Sequence, residues 1–137
     1  MPPKNNSQKK KAPKVIPHKD NYARVSFLYQ AANHFAVAKN SKLSRNMVRS
    51  LDLVAKKTTL KLSPSLKRTL CKKCSSILIP GLTMTMRIEN LSKQKTSHND
   101  VLVHKCMTCQ ETKRFPVGKN RDYVAFSERD DVQSIAS

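Results

Sequence analysis

The chain has 137 residues, in which 27 lysines and arginines face nine aspartates and glutamates, for a formal net charge of +18. This excess favours a polyanionic partner, and nucleic acid is preferred over an anionic membrane because the cations are spread along the whole chain rather than gathered on one amphipathic helix. Aromatic residues are only 5% of the chain and no apolar stretch approaches membrane-spanning length, so we expect one soluble domain with a modest core.

The two ends of the chain have compositions that predict no packed structure. Residues 1–19, MPPKNNSQKKKAPKVIPHK, hold four of the seven prolines and almost no bulky apolar residue, which is typical of a disordered basic arm. The lysines of this arm can serve as a nuclear import signal, contact phosphate, or simply be solvated. Residues 121–137 contain several acidic side chains and are predicted to be a flexible tail.

Residues 20–62 are predicted to form an antiparallel helical hairpin. Its first helix is expected to be capped by Asp20 or Asn21 and to reach about Lys39. Apolar residues that recur at helical spacing mark its buried stripe, namely Tyr22, Val25, Leu28, Ala32, Phe35 and Ala36. Phe27 lies off this stripe, which indicates either a second neighbour, such as another protein, or a fold that wraps the helix.

The second helix is expected to be capped by Ser41 or Ser44 and to end near Lys57. Its predicted apolar stripe consists of Leu43, Met47, Leu51 and Val54. The opposite, polar face carries Arg45, Arg49, Asp52 and Lys56. Two amphipathic helices joined by a few residues favour an antiparallel pair.

Residues 63–120 are predicted to form a ribbon of short strands that follows one helical turn beginning near Pro64. The segment 83–89 alternates between apolar and polar residues and predicts a half-buried strand, and 101–105 and 112–117 predict two partner strands. The residues of the first strand that are expected to face the core are Met84, Met86 and Ile88.

Four cysteines occur as two CxxC pairs, and each pair can form a tight turn that aims two thiolates at one point. Two such turns supply the tetrahedral shell of one structural Zn²⁺ and leave no open position for catalysis. A disulfide framework is disfavoured because nothing resembles a secretory signal, and a redox pair is disfavoured because no βαβ pattern is present. The predicted ligands are Cys71, Cys74, Cys106 and Cys109.

Basic residues are concentrated around the two CxxC pairs, and we expect them to converge into one positive patch. The absence of a clear recognition helix linked to the cysteines slightly favours RNA over DNA as the partner. Some of these cations can instead serve only to balance the negative charge of the thiolate cluster. The predicted nucleic-acid contacts are Lys67, Arg68, Lys72, Lys73, Arg87, Lys105, Lys113 and Arg114.

The sequence shows no catalytic machinery that we can assign. It contains no paired-carboxylate arrangement, no nucleophile with an evident base and no glycine-rich phosphate loop, and only two glycines occur in the chain. The histidines in the ribbon, His98 and His104, have no evident orienting partner. We therefore predict no catalytic residue in this chain.

A family resemblance is carried by the stretch KRTLCKKCSSILIPGLTMTMRIEN, which is similar to the signature of the zinc-ribbon protein subunit of ribonuclease P in eukaryotes and archaea. The family has a Lys-Arg pair before a CxxC, then Leu-x-Pro-Gly, an arginine on the next strand, and a second CxxC followed by basic residues. The matching residues are Lys67, Arg68, Cys71, Cys74, Leu78, Pro80, Gly81, Arg87, Cys106, Cys109, Lys113 and Arg114. The upstream RVSFLYQAA resembles the family's first helix, so the likeness covers about residues 20–118.

The resemblance implies an α+β protein with two N-terminal helices and a C-terminal four-cysteine zinc ribbon. In that family the helices join a small β-barrel protein subunit, and both proteins sit on the ribonuclease P RNA, which cleaves the 5′ leader from precursor tRNA. It implies a non-catalytic subunit of a ribonucleoprotein enzyme in the nucleus, and within it the nucleolus. The alternatives are a subunit of ribonuclease MRP in rRNA processing, a DNA-associated zinc ribbon of the transcription machinery, and a redox or metal-handling protein.

Overall fold

The computed structural model describes residues 18–117 together with residues 122, 124, 129 and 130. The predicted basic arm lies outside the described residues except for its last two positions, and the predicted tail lies outside them except for those four positions. The elements in chain order are α1 (Lys19–Val37), α2 (Ser41–Lys57), α3 (Pro64–Arg68), β1 (Met84–Glu89), a 3₁₀ turn (Ser97–Asn99), β2 (Val101–Cys106) and β3 (Thr112–Pro116). The predicted α+β architecture, helices first and a cysteine-bearing antiparallel sheet second, is confirmed.

Both long helices begin at residues other than the predicted caps. Helix α1 starts after His18, which has a φ of 62° and makes no side-chain capping bond, rather than at Asp20 or Asn21. Helix α2 starts after Asn40, whose side-chain oxygen accepts a hydrogen bond of 3.3 Å from the Leu43 N–H. Asparagine is as good an N-cap as serine, and Asn40 stands one position before Ser41 and four before Ser44, the two serines that were expected to act as caps.

The two helices bury one face against each other, and the buried face of α2 is rotated by about one residue from the predicted stripe. The buried residues are Val25, Leu28, Ala32 and Ala36 on α1 and Ser44, Val48, Leu51 and Ala55 on α2. Small side chains of α1 let α2 approach closely, and the Ser44 hydroxyl donates a hydrogen bond of 2.9 Å to the Ala32 carbonyl inside the contact. Tyr22, expected in the buried stripe of α1, is 48% exposed.

The hairpin and the ribbon are joined by a shared core and by one side-chain hydrogen bond. Ile77, which follows the first CxxC, is 1% exposed and packs with Ala32, Ala36 and Val48 of the helices. The Tyr29 hydroxyl of α1 donates to Thr69 Oγ1 at 3.1 Å. The position of the first CxxC relative to the helices is therefore set by packing as well as by the chain connection.

The sheet has the order β1-β2-β3, and both pairings are antiparallel, so β2 lies at its centre. The expectation that three apolar residues of β1 face the core is wrong for two of them. Met84, paired in register with Cys106, is 5% exposed, whereas Met86 and Ile88 are 50% and 68% exposed. β1 is an edge strand, and the described residues place no second layer over its far end. In this part of the chain, no helix is both long and apolar enough to cross a membrane.

Candidate metal centre and nucleic-acid interface

The two CxxC turns have the same backbone geometry. In the first, the Cys71 N–H donates to the Ser76 carbonyl at 2.9 Å, and the Cys71 carbonyl accepts from the Ser75 N–H at 3.1 Å. The equivalent bonds of Cys106 in the second turn are 2.9 and 3.0 Å long. The residue after the second cysteine has a positive φ in both turns, 56° in the first and 61° in the second. This reversal of the chain brings the two thiols of each turn to the same side.

The four sulfur atoms form one cluster. All four Sγ atoms lie within 4.8 Å of one another. The Sγ atoms of Cys71 and Cys109 are 3.5 Å apart, and those of Cys74 and Cys106 are 3.7 Å apart. Metal–sulfur bonds of about 2.3 Å in a tetrahedral site place sulfur atoms about 3.8 Å apart, whereas a disulfide bond is about 2.05 Å long. No disulfide bond joins the four cysteines, and the distances between their sulfur atoms fit a single four-thiolate metal site.

The electrostatics of the cluster also suit a divalent cation. Burial raises the pKa of the Cys71 thiol to about 12. Burial acts in the same direction on Cys74, but the Ser76 hydroxyl, 3.1 Å from its Sγ, contributes to lowering that pKa to about 7. Four adjacent thiolates repel one another unless a cation lies among them, and a coordinated dication keeps its thiol ligands deprotonated. The donor set therefore fits a structural metal ion.

Five of the eight predicted nucleic-acid contacts lie around one concave surface of about 300 Å³, which we call the ribbon depression. α3, the first CxxC turn and β3 provide its walls. The residues that line it are Lys67, Arg68, Lys72, Lys113, Arg114 and Phe115. No carboxylate belongs to this lining, so the positive charges reinforce one another at a surface that a polyanion can enter.

Lys113 is the most constrained of these cations. Its ammonium group donates to the Lys67 carbonyl at 3.1 Å and also to the Leu70 carbonyl. Burial lowers the pKa of Lys113, and the nearby charge of Lys72 acts in the same direction. Lys113 thus links β3 by hydrogen bonds to the segment that precedes the first CxxC. Its charge still contributes to the positive potential of the ribbon depression.

Phe115 was missed by sequence reasoning, although it contacts both a guanidinium group and an imidazole ring. The Arg68 guanidinium carbon lies over the Phe115 ring, 5.5 Å from its centroid, and the His104 imidazole meets the ring edge-on at 5.0 Å. Neither ring nitrogen of His104 has a hydrogen-bond partner among the described residues. Burial lowers the pKa of His104, and the charges of Lys113 and Arg68 act in the same direction. The available signal was an aromatic residue inside the basic segment TKRFP.

Three predicted contacts lie outside the ribbon depression. Lys73 forms an exposed ion pair of 3.6 Å with Glu111, which follows the second CxxC turn. Arg87 pairs with Glu89 on the same strand, β1. Lys105 lies on β2 in register with Thr85 of β1. Exposed ion pairs of this kind contribute little to stability, so both cations remain available to exchange partners.

A helical hairpin that supports a four-cysteine ribbon with a cationic depression defines a class of small ribbon proteins suited to polyanions. Residues 24–110 match the family described as "RNAse P Rpr2/Rpp21/SNM1 subunit domain". The chain belongs to this family, as the motif order predicted.

Relatives in mammals and fungi are similar over most of this chain. Ribonuclease P protein subunit p21 of Mus musculus is 40% identical over 103 residues, which are 73% of this chain and 65% of that protein. The chain thus spans just under two thirds of the length of the mammalian relatives that it matches. Ribonuclease P protein subunit rpr2 of Schizosaccharomyces pombe is 39% identical over 98 residues, 71% of this chain and 91% of the relative.

Solved structures support the fold. One chain of an archaeal ribonuclease P, determined by cryo-EM with mature tRNA, superposes with a TM-score of 0.64 at 25% identity, covering 78% of this chain and 84% of that one. The structure described as Pfu Rpp21 gives a TM-score of 0.52 at 26% identity, covering 69% of this chain and 96% of that one.

Proposed function

We propose that this protein is a non-catalytic RNA-binding subunit of ribonuclease P, which supports the RNA-catalysed removal of 5′ leaders from precursor tRNA. The observation that carries the proposal is the ribbon depression, where five cations meet with no carboxylate in the lining, in a chain of the Rpr2/Rpp21 family. Such a surface follows a phosphate backbone, and it offers no group arranged for acid-base or nucleophilic chemistry.

We infer that the ion held by the four cysteines is one structural Zn²⁺. The donor set is all sulfur, and the sulfur separations of 3.5 and 3.7 Å suit a tetrahedral shell. Four thiolates complete that shell, so the ion serves the fold rather than a reaction. Its role is to hold the two CxxC turns together and thereby to bring α3 and β3 to opposite sides of the ribbon depression.

The proposed RNA partners are the ribonuclease P RNA and precursor tRNA. In this proposal Lys67, Arg68, Lys72 and Arg114 contact RNA from the walls of the ribbon depression. The proposed contacts of Lys73, Arg87 and Lys105 are peripheral, and that of Lys113 is combined with its structural role.

The proposed protein partner is a small β-barrel subunit that binds the helical hairpin. Phe27, 66% exposed on the outer side of α1, supports a contact there. The proposed location is the nucleus, and within it the nucleolus.

Sequencing the RNA that co-purifies with the tagged full-length protein tests this proposal. The expected result is enrichment of ribonuclease P RNA. Recovery of ribonuclease MRP RNA alone would move the protein to that complex, and recovery of RNA polymerase without a structured nuclear RNA would overturn the proposal.

The salt dependence of RNA binding by the purified protein tests the depression itself. Each phosphate contact contributes a slope of roughly 0.7–0.9 log units of affinity per log unit of salt, so Lys72→Ala is expected to weaken binding and reduce the slope by about that amount. Lys57→Ala, at the last residue of α2 and outside the lining of the ribbon depression, removes the same charge and should leave the slope unchanged. Equal effects of the two substitutions would show that net charge, not the depression, drives binding.

A further inference from the structure

We propose that Arg68 and Phe115 form a stacking platform for one unpaired base of the bound RNA. The inference rests on the proposed RNA-binding function and adds a specificity to it. The ribbon depression is then a site for a nucleotide in a loop or bulge, rather than a surface that senses phosphate charge alone.

The geometry of Arg68 and Phe115 is suited to receiving a base. The Arg68 side chain is exposed, and its guanidinium carbon lies over the Phe115 ring at 5.5 Å from the centroid. Both residues line the ribbon depression. Flat aromatic rings and guanidinium planes are the groups on which proteins stack unpaired bases. The cation is thus displayed to solvent on an aromatic support inside a concave surface.

The platform is held in place before any ligand binds. Phe115 is fixed by its register with Leu102 in the sheet and by the edge-on contact with His104. Because neither His104 ring nitrogen has a hydrogen-bond partner among the described residues, the imidazole supports the aromatic ring by packing. A pre-positioned guanidinium loses less conformational freedom when a base stacks on it.

Three further cations lie close to the Arg68–Phe115 pair. Lys67, Lys72 and Arg114 surround it in the same depression and can hold the phosphates on either side of a stacked nucleotide. A regular RNA duplex keeps its bases stacked inside the helix and offers mainly phosphates and 2′-hydroxyls. A depression that combines cations with a flat apolar group is therefore better suited to a duplex interrupted by an unpaired base.

The absence of tryptophan from the chain permits a direct optical test. Full-length protein carrying Phe115→Trp has a single tryptophan in the depression. The probes are a hairpin RNA with one unpaired adenosine in its stem and the same hairpin without it. We expect the bulged hairpin to quench the tryptophan emission and the fully paired hairpin to leave it unchanged. Binding of both hairpins with no change in emission would overturn the inference.

A second measurement avoids altering the aromatic residue. Arg68→Lys keeps the positive charge but removes the guanidinium plane. The wild-type protein is expected to prefer the bulged hairpin by roughly 5- to 150-fold, the range for stacking of one base, and Arg68→Lys should abolish most of that preference at an unchanged salt slope. Lys72→Ala is the complementary variant: it should reduce the salt slope and retain the preference for the bulged hairpin.

The outcomes separate the two proposals. A wild-type protein that binds neither hairpin contradicts RNA binding itself, and the stacking inference falls with it. A wild-type protein that binds both hairpins equally, or an Arg68→Lys variant that keeps the full preference, contradicts stacking alone. A merely structural role of the pair predicts that Arg68→Lys lowers the melting temperature without changing the ratio of the two affinities.

Discussion

The helical hairpin buries apolar side chains, whereas the ribbon also buries two of its four candidate metal ligands. One hairpin cluster consists of Val25, Leu28 and Leu51, and the ribbon cluster consists of Cys71, Leu78, Met84 and Cys106. Half of the buried ribbon cluster is therefore cysteine. From this comparison we predict that the hairpin draws its stability from packing and the ribbon from a metal ion held by the four cysteines, although Ile77 joins the two cores.

The surfaces of the two regions differ as well. The outer side of α2 has a shallow depression of about 260 Å³ lined by Lys42, Arg45, Asn46 and Arg49. Its lining carries three cations, against five in the ribbon depression, and lacks an aromatic ring. Charge is thus common to both regions, and the combination of cations with a flat apolar group distinguishes the ribbon depression from the depression on α2.

The largest expected effect is that of Cys109→Ser. A structural zinc site contributes on the order of 10 kcal/mol to the folding of small modules, so losing one thiolate should release the metal and unfold the ribbon. The hairpin should persist because the cluster of Val25, Leu28 and Leu51 lies within it, although losing the packing of Ile77 should lower its stability. Native mass spectrometry should show no bound zinc, and amide resonances should lose dispersion in β2 but keep it in α1 and α2.

Met107→Ala is the control for this variant, since Met107 lies within the same CxxC turn but is 52% exposed. It should retain the metal and the sheet. A Cys109→Ser protein that kept a dispersed β2 spectrum without metal would show that packing alone holds the ribbon.

An intermediate effect is expected from Leu51→Ala in the hairpin. Leu51 is fully buried, so this truncation should lower the free energy of unfolding by about 2–5 kcal/mol. Leu53→Ala is the same substitution two residues along α2, where the side chain is 66% exposed, and should change stability by about 0.5 kcal/mol or less. Chemical denaturation followed by helical circular dichroism measures both. Similar losses for the two variants would contradict the observed helix face.

The smallest effect concerns the link between the regions. Tyr29→Phe removes the hydroxyl that donates to Thr69 Oγ1, so we expect a loss of about 0.5–1.5 kcal/mol and unchanged zinc content. Tyr22→Phe on the same helix, at a half-exposed position, is the matched control and should have no measurable effect. Equal melting temperatures for the two variants would show that this hydrogen bond does not couple the hairpin to the ribbon.

The features that depend on local spacing were predictable from the sequence. Helical periodicity located the C-terminal ends of α1 and α2 to within two residues, whereas the predicted caps lie one to four residues after the observed ones. The two CxxC pairs identified the four clustered thiols. Each of these features depends on residues only a few positions apart, so patterns in a single sequence are sufficient to find it.

The features that depend on distant residues were not predictable. The rotated face of α2 follows from the small Ala32 and Ala36 on another helix, and the exposure of Ile88 follows from the lack of a covering layer among the described residues. The cation–π contact of Arg68 with Phe115 joins α3 to β3. Such contacts are set by tertiary packing, which a pattern along one segment does not encode.

The RNA affinity of the full-length protein before and after extraction of the proposed zinc with a chelator tests the central claim most directly. Extraction converts thiolates to neutral thiols, so the metal-free chain carries at least as much positive charge. We predict that RNA binding nevertheless weakens strongly, with a smaller salt slope, and returns when Zn²⁺ is added back. RNA binding of undiminished affinity and slope in the metal-free protein would contradict the claim that a metal-built surface, rather than net charge, recognises RNA.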